Sequence, residues 1–331
     1  MASLVNVAVS GYGNAGQLHA RLLASRPGVR IVGIADPTPA RRQAAVQDHP
    51  GATLANRLDR LDVPVDIVVT ASPPAFHEAD THTALTRHHA HVLCEKPAVL
   101  NPAVGQQLAA LAADSGLLLY PVHNYLYAQA FQNMRTLVSA GAIGRVSKLQ
   151  IDIARIGAAT GNLHWHPDWR HDPAAGGGIL GDHGAHAIYL AESLVGSSAI
   201  AVSCATTLGK RGAESSAALD LMFEGGATAT ITLTWEAAVR SNRYEVQGTS
   251  GNVALHAGAL TLARSGSIQT WPTDDPARGG HASTYWTRAL HADLLNRISR
   301  SDLGAHLWQT AVHVADVIEA ARDSAKSFNA Y

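Results

Sequence analysis

The sequence predicts an α/β chain in two parts, a doubly wound parallel sheet over residues 1–122 and an α+β part built on antiparallel strands over residues 123–331. Three observations predict it. Apolar strands alternate with helix-period segments through the first part, the pattern of a parallel sheet covered on both faces. The first strand, Val5 to Ser10, runs directly into Gly11-Tyr12-Gly13-Asn14-Ala15-Gly16. From His123 onward the alternation gives way to strands joined by glycine-bearing turns such as Glu224-Gly225-Gly226 and Gly248-Thr249-Ser250-Gly251.

The elements follow in order. After the glycine turn, Gln17 to Ala24 reads as a helix with Leu18, Leu22 and Leu23 on its apolar side. A second strand, Arg30 to Ala35, ends in Asp36. Strand, glycine turn, helix, strand and terminal acid in this order form the dinucleotide fingerprint, which an isolated Gly-x-Gly-x-x-Gly does not. Gly11 permits the tight turn, Gly13 lets backbone approach a pyrophosphate, and Gly16 lets the helix pack closely on the strand. The helix N-terminus then faces the phosphates. Asp36 lies where an acid accepts hydrogen bonds from the adenosine ribose and repels a 2′-phosphate, which favours NAD. Arg41 and Arg42 are near enough in sequence to cover the adenine or neutralise such a phosphate, so NADP stays open.

A third strand, Val65 to Thr70, leads into Ala71-Ser72-Pro73-Pro74-Ala75-Phe76-His77, a loop stiffened by two prolines at the strand end where open α/β sheets bind ligands. A helix from His77 to His88 and a strand from Ala90 to Leu93 bring the chain to Cys94-Glu95-Lys96-Pro97. Lys96 is one of four lysines against 21 arginines, and it stands at a strand's mouth. A helix from Ala103 to Ser115 and a strand from Leu117 to Tyr120 complete the part.

In the second part a helix, Ala128 to Ala140, precedes strands at 146–156, 200–207, 216–223, 227–235, 243–247 and 252–255. They read as antiparallel, offering one face to substrate and the other to a second subunit. Between the first two lies His164-Trp165-His166-Pro167-Asp168-Trp169-Arg170-His171-Asp172, then Gly176-Gly177-Gly178 and a helix from near Asp182 to about Leu194. That helix places Asp182 and His186 at i and i+4, on one face. Two terminal helices, Tyr285 to Ser299 and His306 to Ser324, return to pack on the first part.

Bulk properties bound the partners. A chain of 331 residues, 47% hydrophobic and 15% charged, buries a sizeable core. A formal net charge of −1 gives no electrostatic reason to expect nucleic acid or an anionic membrane, so small molecules are the expected partners. Cys94 and Cys204 are too few and too far apart for a disulfide framework or zinc ribbon, the apolar start stops at Ser10 without a signal-peptide flank, and no run is long enough to span a bilayer. These features predict a cytoplasmic protein. His164, His166, His171 and His183 are irregularly spaced for ligands, and no metal is expected.

The glycine turn with His19, Ser72-Pro73-Pro74 with His77, Glu95-Lys96-Pro97, and Gly176-Gly177-Gly178 with Asp182 and His186 together resemble the glucose-fructose oxidoreductase, inositol dehydrogenase and rhizopine catabolism (Gfo/Idh/MocA) family along nearly the whole chain. The resemblance implies an N-terminal Rossmann domain, a C-terminal domain with a large open, mostly antiparallel sheet, a homodimer or homotetramer, and NAD(P)-dependent chemistry on a sugar, glycoside or cyclitol. It implies that Lys96 is the catalytic lysine, that His186 and Asp182 are the acid/base histidine and its aspartate, and that the Lys96–Pro97 peptide is cis.

Oxidising a secondary alcohol sends hydride to nicotinamide while a base takes the hydroxyl proton, a task that suits His186. Lys96 donates a hydrogen bond to the same oxygen, and Asp182 orients the histidine or binds a neighbouring hydroxyl. Tyr12, Asn14, Ala15, Ser72, Pro73, His77 and Glu95 complete the expected cofactor contacts. His123, Tyr125, Arg155, Trp165, Trp169 and Arg170 are candidates to stack on a sugar ring or grip its hydroxyls, and they serve equally well as loop anchors. Blander roles remain: Lys96 on the surface, His186 in packing, Asp182 as a helix N-cap. The same fingerprint accommodates an enzyme that recycles NAD while cleaving or epimerising a glycoside, and a non-catalytic NAD-responsive sensor.

Overall fold

The computed structural model describes residues 4–158, 168–276 and 281–328. These divide into two units, one comprising the chain up to Val122 with Thr287–Val312, the other the remainder.

In the first unit, β1 (Val5–Ser10), β2 (Val29–Ala35), β3 (Thr53–Ala55), β4 (Ile67–Thr70), β5 (His91–Cys94) and β6 (Leu119–Pro121) form a parallel sheet in the order β3-β2-β1-β4-β5-β6. The order reverses between β1 and β4, which opens a crevice at their C-terminal ends. β4 is buried along its whole length, as a strand covered on both faces must be. The covering helices are α1 (Asn14–Ala24), α2 (Pro39–Asp48), α3 (His77–Thr86) and α4 (Pro102–Asp114). α2 and β3 were not legible in the sequence: α2 buries a single residue, Ala45, so no apolar stripe announces it, and β3 has three residues.

The second unit begins with α5 (Gln129–Ser139), β7 (Val146–Ala154) and α6 (Ala185–Val195). β8 (Ala199–Leu208), β9 (Glu214–Phe223), β10 (Thr228–Thr234), β11 (Ser241–Gly248), β12 (Gly251–His256), β13 (Ala259–Arg264) and β14 (Ser267–Pro272) follow. With β7 they make an eight-stranded sheet in the order β14-β13-β12-β11-β7-β10-β9-β8. All its pairings are antiparallel except β7 with β10, which run parallel from Lys148 opposite Thr228 to Ala154 opposite Thr234, so the sheet is mostly antiparallel, as expected. The reason for the parallel pair is topological: β10 reaches β7 by a long connection through α6, β8 and β9, not by a hairpin. β9 alternates Leu219, Leu221 and Phe223 inward with Asp220 and Met222 outward. The inward face packs on α5 and α6, and α6 is buried nearly all round.

The last helices, α7 (His281–Ser299) and α8 (Ala305–Phe328), complete both units. Within the first, the Tyr120 hydroxyl donates to Asp293 at 2.6 Å and the Trp308 indole donates to the Gly105 carbonyl at 3.0 Å. Within the second, Arg322 donates to Glu214 at 2.8 Å and to the Gly177 carbonyl at 2.6 Å, tying α8 to β9 and the triple-glycine loop. Among the described residues no helix is long and apolar enough to cross a membrane.

Candidate functional site

In the first unit the strand ends around the sheet's switch point carry the polar residues. Gly11 adopts φ +87° after β1, and no Cβ fits there because it would lie 2.4 Å from the Ser72 nitrogen. Gly13 precedes α1 with no side-chain cap, and the helix has no acid in its first turn. The N–H groups at Asn14, Ala15 and Gly16 therefore meet the conditions for an anion, and the residues fit a dinucleotide's pyrophosphate. Asp36, at the end of β2, is buried. Its Oδ2 accepts from the Tyr12 N–H at 2.8 Å and from Arg41 at 3.4 Å, its Oδ1 from the Thr38 N–H at 2.8 Å. Arg42 turns instead to the Asp36 carbonyl at 2.6 Å.

Two side chains join the neighbouring loops. Asp80, on α3, receives the hydroxyls of Ser10 at 2.8 Å and Ser72 at 2.7 Å on one oxygen, linking the end of β1 to the loop after β4. Burial pushes its carboxyl up, against the opposing pull of the two hydroxyls. His77 is buried between the Ser72 carbonyl at 2.7 Å and the Pro97 carbonyl at 2.8 Å, so it links the loops after β4 and β5. Pro73 leads the short helical turn between them. Lys96 follows β5, two strands from the glycine turn, and the Lys96–Pro97 bond is cis. The Lys96 N–H donates to Glu95 Oε2 at 3.1 Å.

In the second unit α6 supplies the centre. A π-helical turn, Leu180–Gly184, precedes it, so Asp182 lies inside a turn and does not cap the helix. Asp182 is buried, with Oδ2 3.1 Å from Arg170 Nε and 3.5 Å from His183 Nδ1. Arg170 also lies over the Trp169 ring at 4.4 Å. His186 is buried, and its Nδ1 pairs with the Tyr189 hydroxyl at 2.7 Å. Tyr125 packs 4.5 Å from the His186 ring and 5.2 Å from Trp286. His123 stacks on Tyr189 at 4.2 Å, and burial pulls its imidazole down to about 3. This aromatic wall keeps His123 neutral beside the histidine that is the candidate base.

Of the two roles expected of Arg155, its contacts are those of an anchor. It is buried, and Nη1 donates to the Ala154 carbonyl at 2.8 Å, the Ser241 carbonyl at 3.2 Å and Asn242 Oδ1 at 2.6 Å. Three acceptors on one nitrogen make it a clamp between the end of β7 and the start of β11. Trp165, with His164 and His166, lies outside the described residues. His171 and His183 both stand edge-on to Trp235, whose indole faces His183 Nδ1 at 3.3 Å.

Sequence reasoning missed Tyr189, although its i+3 spacing from His186 on one helix was the available signal. It also missed Asp80 and His291, whose partners come from distant segments.

Comparison with known proteins follows the same division. Residues 5–123 match the description "Oxidoreductase family, NAD-binding Rossmann fold", and residues 131–254 match the Gfo/Idh/MocA C-terminal domain. The chain is 28% identical over 278 residues to 1,5-anhydro-D-fructose reductase of Ensifer adhaerens, covering 80% of each chain. It is 24% identical to the scyllo-inositol 2-dehydrogenase (NADP(+)) IolW of Bacillus subtilis (strain 168), covering 97% of this chain and 94% of the relative. The crystal structure of GenD2 from gentamicin A biosynthesis in complex with NAD superposes with a TM-score of 0.84 at 25% identity, over 99% of this chain and 96% of that one. With both halves matched and the nucleotide turn formed, the chain belongs to the Gfo/Idh/MocA family and is an oxidoreductase with an NAD-binding Rossmann fold.

Proposed function

We propose that this oxidoreductase acts on a secondary hydroxyl or keto group of a cyclic polyol, a sugar, glycoside or cyclitol, with Lys96, His186 and Asp182 as its working side chains. Bound NAD supplies the hydride acceptor. The observation that carries the reading is the bond between His186 Nδ1 and the Tyr189 hydroxyl, because it fixes the plane of an imidazole suited to move a proton near neutral pH. Lys96 donates a hydrogen bond to the reacting oxygen and stabilises alkoxide charge as it develops. Asp182, held by Arg170, is an acceptor for a neighbouring hydroxyl or for the histidine. Tyr125, Trp169 and His123 supply ring faces for the apolar side of the substrate. The two relatives that act on anhydrofructose and scyllo-inositol support this substrate class.

NAD is the preferred cofactor, supported by the Asp36 carboxylate, whose two backbone N–H donors hold it at the end of β2. Assembly into a homodimer or homotetramer through the outer face of the eight-stranded sheet is supported by exposed Ile200, Leu208 and Met222, and a monomer by light scattering overturns it. A cytoplasmic setting is supported by two unpaired, buried cysteines.

The test is NADH formation at 340 nm with pyranosides and cyclitols. Lys96→Ala and His186→Ala are each expected to lose at least about a hundredfold in kcat. Near-wild-type turnover by Lys96→Ala overturns the assignment of roles. Product formed without net NADH redirects it to NAD recycling, and tight NAD binding without turnover of any substrate to a sensor.

A further inference from the structure

Behind Lys96 the first unit holds a row of buried polar groups that the proposed chemistry does not use. Glu95 Oε1 lies 2.9 Å from His19 Nε2, on α1, and His19 Nδ1 lies 2.8 Å from His291 Nε2, on α7. Glu95 Oε2 accepts the Lys96 N–H, so the row ends on the lysine's own backbone. His19 is 1% exposed and His291 is 0% exposed. His291 Nδ1 has no hydrogen-bond partner among the described residues.

The protonation pattern follows from the donors available. Burial raises the Glu95 carboxyl, yet the His19 hydrogen bond, the charge of Lys96 and the Lys96 N–H together hold it below the usual carboxylate range. An ionised carboxylate only accepts, so His19 Nε2 carries the proton. In a neutral ring Nδ1 then accepts, so His291 Nε2 donates and His291 Nδ1 is bare. The charged groups facing the pair are Glu95 and Lys96 after β5, Arg26 after α1 and Arg288 on α7. Burial above all, with Arg26 and Arg288 beside it, drives His291 well below its ordinary value. Among the described residues a proton passed along this row meets no acceptor beyond His291, which favours a lock over a conducting row. The lock fixes one tautomer and one carboxylate orientation.

We propose that His19 and His291 are positioning residues for Lys96: through Glu95 they lock the backbone turn from which the lysine projects. This rests on the reading of Lys96 as the hydrogen-bond donor in the reaction. The row holds by direction of donation and not by charge, and that distinguishes it from a proton relay.

Two measurements test it. In the NAD-bound protein labelled with ¹⁵N-histidine, His19 and His291 are expected to give the Nε2–H tautomer, and His291 to stay neutral from pH 8 to pH 5. A His291 that titrates near 6.5, or a His19 found in the Nδ1–H tautomer, overturns the lock. In kinetics with NAD and myo-inositol, 1,5-anhydro-D-glucitol or methyl β-D-glucopyranoside, His291→Leu is expected to lower kcat about tenfold with KM and NAD affinity within about twofold. His291→Gln, which keeps a donor, recovers most of the loss. His19→Gln, whose amide donates to Glu95 and accepts from His291 but cannot titrate, retains activity within about fivefold. Loss of all activity in His19→Gln with normal NAD binding overturns the proposal in favour of a relay. If Lys96→Ala is inactive while His291→Leu keeps the wild-type kcat, positioning alone falls; if Lys96→Ala is active, the underlying role of the lysine falls with it.

Discussion

Replacing Gly16 by alanine tests the nucleotide turn where the structure leaves least room. An added Cβ lies 1.9 Å from the Gly11 carbonyl oxygen, 3.0 Å from its carbon and 3.3 Å from Val9 Cγ1. A carbon–oxygen contact relaxes at about 3.3 Å, so the turn must open by ~1.4 Å. Gly11 cannot retreat freely. Its N–H is bonded to the Ala35 carbonyl at 2.8 Å, and its own α-carbon abuts the loop after β4, where a Cβ would meet the Ser72 nitrogen at 2.4 Å. The methyl is thus wedged between backbone segments that have no rotamer to yield. Overpacking of this kind costs roughly 1–3 kcal/mol. Carried into the phosphate-facing turn, it corresponds to about 5- to 150-fold weaker NAD binding. Gly28→Ala is the control: nothing lies within 4 Å of its Cβ, but φ is +77°. It should lose ~1–2 kcal/mol of stability from backbone strain alone and bind NAD normally. Calorimetric titration with NAD and urea unfolding separate the effects. A Gly16→Ala protein that binds NAD within twofold of wild type, with unchanged stability, refutes the reasoning.

Other perturbations have defined outcomes. His123 and His291 are pulled below their unfolded values, so the unfolded chain takes up protons that the folded one refuses. Their contribution is therefore complete above about pH 6.5 and is lost as pH falls, by ~1.4 kcal/mol per unit for each histidine, continuing for His123 towards about 3. Urea unfolding at pH 7 and pH 5 should show a smaller drop for His123→Phe than for wild type. Arg170→Ala leaves the buried Asp182 carboxylate without its guanidinium and should cost about 3 kcal/mol. Adding Asp182→Asn should recover part of that loss, and strict additivity of the two effects in denaturation would contradict the pairing. Asp80→Ala strands the Ser10 and Ser72 hydroxyls and should cost ~1–3 kcal/mol with weaker NAD binding, whereas Asp80→Asn, which still accepts on its amide oxygen, should cost less.

Legibility in the sequence followed the range of the interaction. Apart from α2 and β3, the strands and helices of the first unit were readable because the signals are local: apolar runs, helical period, and glycines where a turn or close approach demands them. β13 carried a readable signal, Leu260 and Leu262 alternating between Gly258 and Gly266, whereas β14 is exposed along its length and carries none. Asp182 read as the partner of His186, with a helix cap as its bland alternative; the assembled unit shows it in a π-turn with Arg170 beside it. Arg155 read equally as a substrate contact or an anchor, and the pairing of β7 with β11 made it a buried clamp.

By itself the sequence determined the nucleotide turn, the strand that ends at Glu95-Lys96-Pro97 and the α6 face carrying His186, since each depends on residues within one or two turns of chain. Tertiary structure decided the partners: β7 beside β10 in parallel, His123 stacked on Tyr189, and His291 against His19 across 272 residues. The physical reason is that a backbone conformation is fixed by near neighbours. A buried donor takes whichever acceptor the packed chain brings within 3 Å, and no local pattern records which one that will be.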